Sequence, residues 1–263
     1  MDYQTLAIRY EGAALWVTLN RPDSLNAMNR QLVDEVRHLF TELYWRRDVR
    51  VVVLTGAGKA FCAGLDLKER DGSNATRTVE TSLDEQRKIA EIVIAMRRCP
   101  QPIIALVNGA ASGGGFAMAL ASDVRIATPE TRMNAAFIRI GLSACDIGVS
   151  YFLPRMVGSS VAAEYMLTGR FIDAEHAREL GLVSRVVPRA ELEAEGRALV
   201  EDMLRATPLG LRLTKEALNH AVDAGSLEAV IAMEDRNQVL TSRDENFKEG
   251  VRAFLEKRKP NYT

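Results

Sequence analysis

The chain has 263 residues, a length typical of one large domain or of one domain with an appendage. Hydrophobic residues make up 47% of it and charged residues 26%, which excludes intrinsic disorder and collagen-like repeats. Lysine and arginine (34) nearly balance aspartate and glutamate (35), giving a formal net charge of −1. This balance argues against a dedicated nucleic-acid-binding or membrane-surface protein.

The cysteines and histidines predict neither disulfides nor metal. Three of each are scattered along the chain with no CxxC pair, which argues against a disulfide framework and a structural zinc site. Because reduced thiols are typical of the cytosol, we expect a cytoplasmic protein. No secretory signal begins at Met1, and the apolar stretch 103–121 contains four glycines, so we expect no membrane partner.

The first part of the chain alternates short apolar strands with amphipathic helices. A strand is predicted over 14–19, and Asn29 is the predicted N-cap of a helix whose apolar stripe ends at Leu43. Strands are also predicted over 51–55, 103–107 and 124–127, with a helix over 83–96. Strands separated by helices indicate βαβ units around a mostly parallel sheet.

The second part of the chain is mainly helical. Only residues 182–187 have the pattern of a strand. Helices are predicted over 161–167, 174–180, 191–205, 209–222, 227–240 and 246–257. We therefore predict an α/β core over residues 1–190 and a helical C-terminal region over residues 191–263.

Two glycine-bearing turns follow predicted strands. The first runs from Gly56 to Leu67 and lacks the spacing of a phosphate-binding P-loop. The second contains three consecutive glycines, Gly113–Gly115, and opens a helix. Glycine lets backbone N–H groups approach a ligand closely, and a helix N-terminus adds positive potential. Taken singly, a turn of this kind more often only connects two secondary-structure elements than forms a functional site.

Taken together, these turns resemble those of the crotonase (enoyl-CoA hydratase/isomerase) superfamily. The motifs are Ala60-Phe-Cys-Ala-Gly-Leu-Asp-Leu67, Asn108-Gly-Ala-Ala-Ser-Gly-Gly-Gly115, Asn20-Arg-Pro, Leu25-Asn26, Ala121–Ala127, Leu167–Ala174, Gly181–Val187 and Phe254–Pro260. The resemblance extends from about residue 5 to residue 260. It implies an α/β spiral of ββα units with a helical C-terminal trimerisation region. It also implies an acyl-CoA-processing enzyme that forms trimers or hexamers and needs no separate cofactor, since CoA is part of the substrate.

The resemblance also assigns site residues. Members of the family stabilise a thioester enolate with two backbone N–H groups, which by position belong here to Leu65 and Gly114. The positions that cradle CoA are Ser24, Leu25, Ala63, Leu65, Asp66, Leu67 and Lys68. Lys248 or Lys257 either meets the CoA phosphates or is simply a solvated surface charge.

The proton-transfer positions depart from the family's hydratases. Those enzymes carry glutamates at two positions that are Ala117 and Phe137 here. The loop over residues 141–150 instead resembles that of dienoyl-CoA isomerases and some dehalogenase and ring-closing relatives, which places Asp146 at a catalytic aspartate position. Hydration with one carboxylate leaves the water short of polar partners, whereas one base can move a proton between carbons. Isomerisation is therefore favoured over hydration.

Several alternatives remain open at this point. Asp146 is either the general base or a turn or N-cap residue. The protein is either an enzyme or a non-catalytic acyl-CoA-binding protein, and the reaction is isomerisation, hydration, hydrolysis or dehalogenation. Six apolar residues between positions 116 and 152 either form the wall of an acyl pocket or belong to the ordinary core. They are Phe116, Met118, Met133, Phe137, Tyr151 and Phe152.

Overall fold

The computed structural model describes residues 2–70 and 78–262. The strands are β1 (Leu6–Glu11), β2 (Ala14–Leu19), β3 (Val51–Gly56), β4 (Ala60–Cys62), β5 (Ile103–Val107), β6 (Ala110–Ser112), β7 (Val124–Ala127), β8 (Arg132–Asn134), β9 (Ile172–Asp173) and β10 (Arg185–Val186). The helices are α1 (Arg30–Leu43), α2 (Leu67–Arg70), α3 (Val79–Arg98), α4 (Gly114–Ala121), α5 (Val149–Val157), α6 (Ser159–Thr168), α7 (Ala174–Glu179), α8 (Leu192–Leu204), α9 (Pro208–Ala221), α10 (Leu227–Ser242) and α11 (Glu245–Leu255). Two 3-10 turns lie at Pro22–Ser24 and Ala136–Ile140.

The larger of two sheets has six strands in the order β1-β2-β3-β5-β7-β10. All neighbours are parallel except β1 and β2, as the predicted βαβ units require. The four predicted strands of the first half are confirmed. Strand β1 was not predicted, and the strand predicted over 182–187 is reduced to two residues.

The smaller sheet arises from a repeated pattern in the chain. Strands β3, β5 and β7 lie in the large sheet, and each is followed directly by a short strand, β4, β6 or β8, of the second sheet. The second sheet has the order β4-β6-β8-β9, with β4, β6 and β8 parallel. This winding is the predicted spiral of ββα units. Its short strands were not predicted, because three residues are too few to show a periodicity.

Alternate residues of the central strands pack against opposite faces of the large sheet. Val52 and Leu54 face a core formed with α1, α3 and α4, whereas Val51 and Val53 face a second cluster completed by α8. A strand covered on both faces is apolar throughout, which explains the continuous Val51–Leu54 run. The predicted cap of α1 is confirmed, since the Asn29 side chain accepts from Leu32 N at 2.9 Å.

The six helices predicted in the second half correspond to α6–α11, each to within two residues at each end, whereas α5 was not among the predicted helices. Helix α9 is held to the core by the buried ammonium group of Lys215. Its Nζ lies 2.9 Å from Asp123 Oδ2 and donates to the carbonyls of Met96 and Gln101 at 3.2 and 2.8 Å. Within residues 2–70 and 78–262, no helix combines the length and apolar character needed to cross a bilayer.

A buried carboxylate ties the N-terminal segment to α1. Glu35 is 3% exposed and accepts hydrogen bonds from Gln4 N and Thr5 N, both at 2.9 Å, and from the Gln31 side chain at 3.1 Å. Burial raises the pKa of Glu35, but these donors outweigh it, so the pKa of this carboxyl lies below its ordinary value of 4.5.

We predict that Glu35→Gln lowers the free energy of unfolding at pH 7 by about 1–3 kcal/mol, because a neutral amide accepts these bonds less strongly. A carboxyl whose pKa is lower in the folded state stabilises the fold above its unfolded pKa and loses that contribution as pH falls through the folded pKa. Urea titrations should therefore show the difference from wild type narrowing below about pH 4.5. A pH-independent difference would contradict the prediction.

Candidate active site

Three neighbouring parallel strands of the small sheet end at the same edge. Cys62 of β4 pairs with Ala111 of β6, and Ser112 of β6 pairs with Asn134 of β8. Leu65 follows β4, Gly114 follows β6, and the segment leading to Asp146 follows β8. Because the carboxyl ends of parallel strands share one edge, these three loops are neighbours.

The first two loops are in direct contact through glycine. Gly64 has φ +94°, and a methyl group on its Cα would lie 2.9 Å from the Ser112 carbonyl oxygen and 3.6 Å from Gly114 N. A methyl group on Gly115 would lie 2.1 Å from the Cys62 carbonyl oxygen. Any side chain at either position would force the loops apart, so glycine sets the spacing between Leu65 and Gly114.

The amides of Leu65 and Gly114 differ from their neighbours in hydrogen bonding. Met28 N donates to Gly64 O at 2.7 Å, and Asp66 N donates to Met28 O at 3.1 Å, which fixes the loop on both sides of Leu65. Gly114 is the first residue of α4, where a helix leaves its N–H groups unpaired. No acceptor in the described part of the chain pairs with either amide.

Gly64→Ala should destabilise the protein more than Gly141→Ala. Both glycines have φ near +90°, but a methyl group on Gly141 meets nothing within 4 Å. Gly141→Ala should therefore lower the free energy of unfolding only by the cost of placing alanine in the left-handed conformation, about 1–2 kcal/mol. Gly64→Ala should lower it further, because the methyl group also clashes with Ser112. Chemical denaturation of both variants measures the difference. Equal losses would show that the two loops are not in contact.

Asp146 lies on the third loop with a half-buried side chain. Its Oδ1 accepts from Gln86 Nε2 of α3 at 2.6 Å and from Ile147 N at 2.8 Å. The N-cap position of α5 belongs to Gly148, so the Asp146 carboxylate does not cap that helix. Ile147 has φ +35°, a conformation that β-branched residues rarely adopt.

The two positions predicted to depart from the family's hydratases, Ala117 and Phe137, lie in the apolar core. Ala117 is fully buried in α4, and Phe137 is 3% exposed. The Phe137 ring lies 3.4 Å from the position of a methyl group on Gly113. A methyl group on Gly114 would meet Met28 Sδ at 2.6 Å and Ile147 Cδ1 at 3.5 Å. The surroundings of the Gly114 amide are therefore apolar.

The predicted CoA-binding positions come together on one surface. Ala63 N donates to Leu25 O at 3.0 Å, which joins the segment containing Ser24 to the segment that continues to Lys68. Leu25 and Leu67 are 45% and 51% exposed. The Asp66 carboxylate forms an ion pair with Arg21 at 3.0 Å and accepts from Lys68 N, so it holds the loop. Among the distal lysines, Lys248 pairs with Glu245 at 2.6 Å.

A cavity of about 970 Å³ lies between α3, α5 and α9. Ile147 and Gly148, next to Asp146, form part of its wall. Tyr151 and Phe152 also line it, whereas Phe116, Met118 and Met133 are fully buried in the core. A second cavity of about 170 Å³ adjoins Leu65.

Two contacts at the site were not predicted, those of Gln86 with Asp146 and of Met28 with the Leu65 loop. Gln86 is separated from Asp146 by 60 residues, and its position on an amphipathic helix resembles that of any half-buried polar residue. No signal in a single sequence identifies such a contact.

Comparison with known proteins places the chain in a family. The family model described as enoyl-CoA hydratase/isomerase matches residues 9–263. A protein of Mycobacterium tuberculosis named probable enoyl-CoA hydratase EchA12 is 40% identical, with 94% of this chain and 88% of the relative covered. The 1,2-epoxyphenylacetyl-CoA isomerase of Escherichia coli is 32% identical, with 96% of both chains covered. An enoyl-CoA hydratase structure from Bacillus anthracis has a TM-score of 0.92 at 33% identity, covering 98% of this chain and 99% of that one.

The chain therefore belongs to the enoyl-CoA hydratase/isomerase family and has the crotonase fold. It is an enzyme of this type, as the sequence motifs predicted. Its relatives include proteins named as hydratases and one named as an isomerase.

Proposed function

We propose that the protein binds an acyl-CoA thioester and stabilises its enolate with the N–H groups of Leu65 and Gly114. The observation that carries this proposal is the contact between their two loops at one sheet edge, with both amides unpaired within the described residues. Negative charge that develops on the thioester oxygen is stabilised by such fixed donors, each worth about 2.7–4 kcal/mol of barrier. The N-terminus of α4 adds positive potential at the same point.

Asp146 is the general base of the proposed reaction. It takes a proton from C2 of a 3-enoyl thioester, and the electron pair moves into the thioester carbonyl to give the enolate. The protonated carboxyl then returns the proton at C4 as the enolate collapses, which leaves a 2-enoyl thioester. One carboxylate is sufficient, since the same group is base and then acid.

Hydration is less well supported by these surroundings. It needs an ordered water near the double bond together with a second acid or base, and a bound water needs about two to four polar partners. Ala117 and Phe137 provide none at the two positions concerned. We therefore propose isomerisation, although several relatives are named as hydratases.

The CoA and acyl parts of the substrate have separate places in this proposal. The exposed surface formed by residues 24–25 and 63–68 takes the CoA moiety. The cavity that starts at Ile147 takes the acyl group, because its α3 and α5 walls include Val93, Ile94 and Phe152. An apolar tail in this cavity places the reacting carbons beside Asp146.

The reaction is tested by incubating the purified protein with 3-enoyl-CoA and with 2-enoyl-CoA while the 2-enoyl chromophore is followed. We expect the chromophore to appear from 3-enoyl-CoA. Loss of the chromophore from 2-enoyl-CoA would instead identify a hydratase. Tight binding of both compounds without turnover would identify a non-catalytic acyl-CoA-binding protein, and release of free CoA would identify a hydrolase.

Asp146→Asn should lower kcat for 3-enoyl-CoA by about 10²–10⁴-fold, the usual contribution of a general base, and leave CoA binding intact. Asp202→Asn is the matched control, because this exposed carboxylate on α8 pairs only with a surface arginine among the contacts described. Binding is measured by calorimetry with CoA. Turnover of Asp146→Asn at the wild-type rate would exclude Asp146 as the base.

We also propose that residues 191–263 form the region through which the protein forms trimers or hexamers. Helices α10 and α11 carry large exposed apolar side chains, including Leu227, Leu240, Phe254 and Leu255. An exposed apolar surface of this kind is typical of an interface, and closed cyclic symmetry is the usual form of association.

We also propose a cytoplasmic location, because the three cysteines are free thiols, as is typical of cytosolic proteins.

Phe254→Glu should shift the mass in sedimentation velocity toward the monomer, because a charge without a partner is costly in an apolar interface. Phe254 is 83% exposed. Trp45→Glu is the control, since Trp45 is 71% exposed but lies after α1. An unchanged mass for Phe254→Glu would exclude this residue from the interface.

A further inference from the structure

A side chain of α3 contacts the proposed base directly. Gln86 Nε2 donates to Asp146 Oδ1 at 2.6 Å, the shorter of the two hydrogen bonds described at that oxygen. Ala90 and Val93, four and seven residues further along α3, line the large cavity, so Gln86 lies on the helix face directed at the site. We propose that Gln86 is a positioning residue that holds the Asp146 carboxylate in the orientation needed for proton transfer. This inference rests on the proposed function.

The carboxylate is held from two directions. One donor, Gln86 Nε2, comes from a long helix, and the other, Ile147 N at 2.8 Å, comes from the loop that carries Asp146. Two donors on one oxygen restrict rotation of the carboxylate plane. Proton transfer depends steeply on such placement, and displacement by about 1 Å can cost about 100-fold in rate.

The loop needs an external support because its backbone is strained. Ile147 has φ +35°, and its buried side chain lies against the Gly114 loop. A β-branched residue leaves this conformation unless its surroundings hold it. The bond from α3 provides that restraint immediately before Ile147, at Asp146.

Gln86 is uncharged, so its hydrogen bond adds no positive charge beside the proposed base Asp146. An arginine or lysine at this distance would lower the pKa of Asp146 by about 1–3 units and weaken it as a base. An amide orients the carboxylate without adding a charge. Two nearby ion pairs are described: Glu85 pairs with Lys88 on α3 at 3.0 Å, and Arg155 of α5 pairs with Asp223 at 3.2 Å.

Among the described residues, two further titratable groups lie on the Asp146 loop and on α5. Cys145 is exposed, and the Tyr151 hydroxyl donates to Asp223. Neither has a described contact with the Asp146 carboxylate.

Gln86→Leu tests the proposal, since leucine has a similar volume and no donor. We expect kcat for 3-enoyl-CoA to fall about 10- to 100-fold with KM changed less than about threefold. The acidic limb of the kcat–pH profile should move to higher pH, because the anion has lost a donor. Gln86→Glu should move the acidic limb to still higher pH, because a second carboxyl beside Asp146 disfavours the doubly ionised pair. Arg87→Leu, at a side chain 70% exposed on the next residue, is the control.

A double mutant shows whether Gln86 acts through Asp146. In an Asp146→Asn background, Gln86→Leu should change the residual kcat less than about twofold, because residues that act as a unit are not additive. An equal loss in both backgrounds would overturn the proposal and assign Gln86 a purely structural role. Circular dichroism checks that each variant folds. If Gln86→Leu does not fold, the kcat–pH profile of Gln86→Glu tests the proposal instead, and an acidic limb at the wild-type pH would contradict it.

Failure of this inference is distinct from failure of the proposed function. If Asp146→Asn abolishes turnover while Gln86→Leu leaves kcat and the pH profile unchanged, only the positioning role is wrong. If Asp146→Asn is as active as wild type, the proposed base is wrong and the role of Gln86 fails with it.

Discussion

The close approach of the β4 and β6 loops is the contact on which the rest of the site depends. Parallel pairing brings the ends of both strands to one edge, and Gly64 and Gly115 leave room for backbone to meet backbone. Without that approach Leu65 and Gly114 would lie on separate loops with no common function. The hydrogen bonds of Met28 on either side of Leu65 then fix the loop in this position. Backbone geometry, and not side-chain chemistry, therefore supports the proposed enolate site.

The chemistry proposed for this site follows from how few polar groups surround it. Ala117 and Phe137, at the positions predicted to depart from the family's hydratases, are apolar and buried. Asp146 lies on the third loop, next to Ile147, whose side chain approaches the Gly114 loop. The two described donors to this carboxylate, Gln86 and Ile147 N, hold it without adding a charge. This arrangement suits the movement of a proton between two carbons better than the addition of water.

Much of the fold followed from local pattern. Continuous β-branched runs such as Val51–Leu54 and the capped stripe of α1 identify buried strands and an amphipathic helix without further information. Strand β1 was missed because its residues are mostly exposed or half-buried, which leaves little pattern. The short strands of the second sheet were missed because they are defined by their partners and not by their composition. At the site, resemblance to the family supplied Leu65, Gly114 and Asp146, and left out Gln86.

The sequence by itself determined the family and most of the longer strands and helices, since each is encoded in contiguous residues. Tertiary structure alone decided which loops touch, that Gly148 and not Asp146 caps α5, and that a glutamine 60 residues away holds Asp146. These contacts join distant segments through the winding of two sheets. The physical reason is that local propensity acts over a few residues, whereas the site is formed by packing across the whole chain.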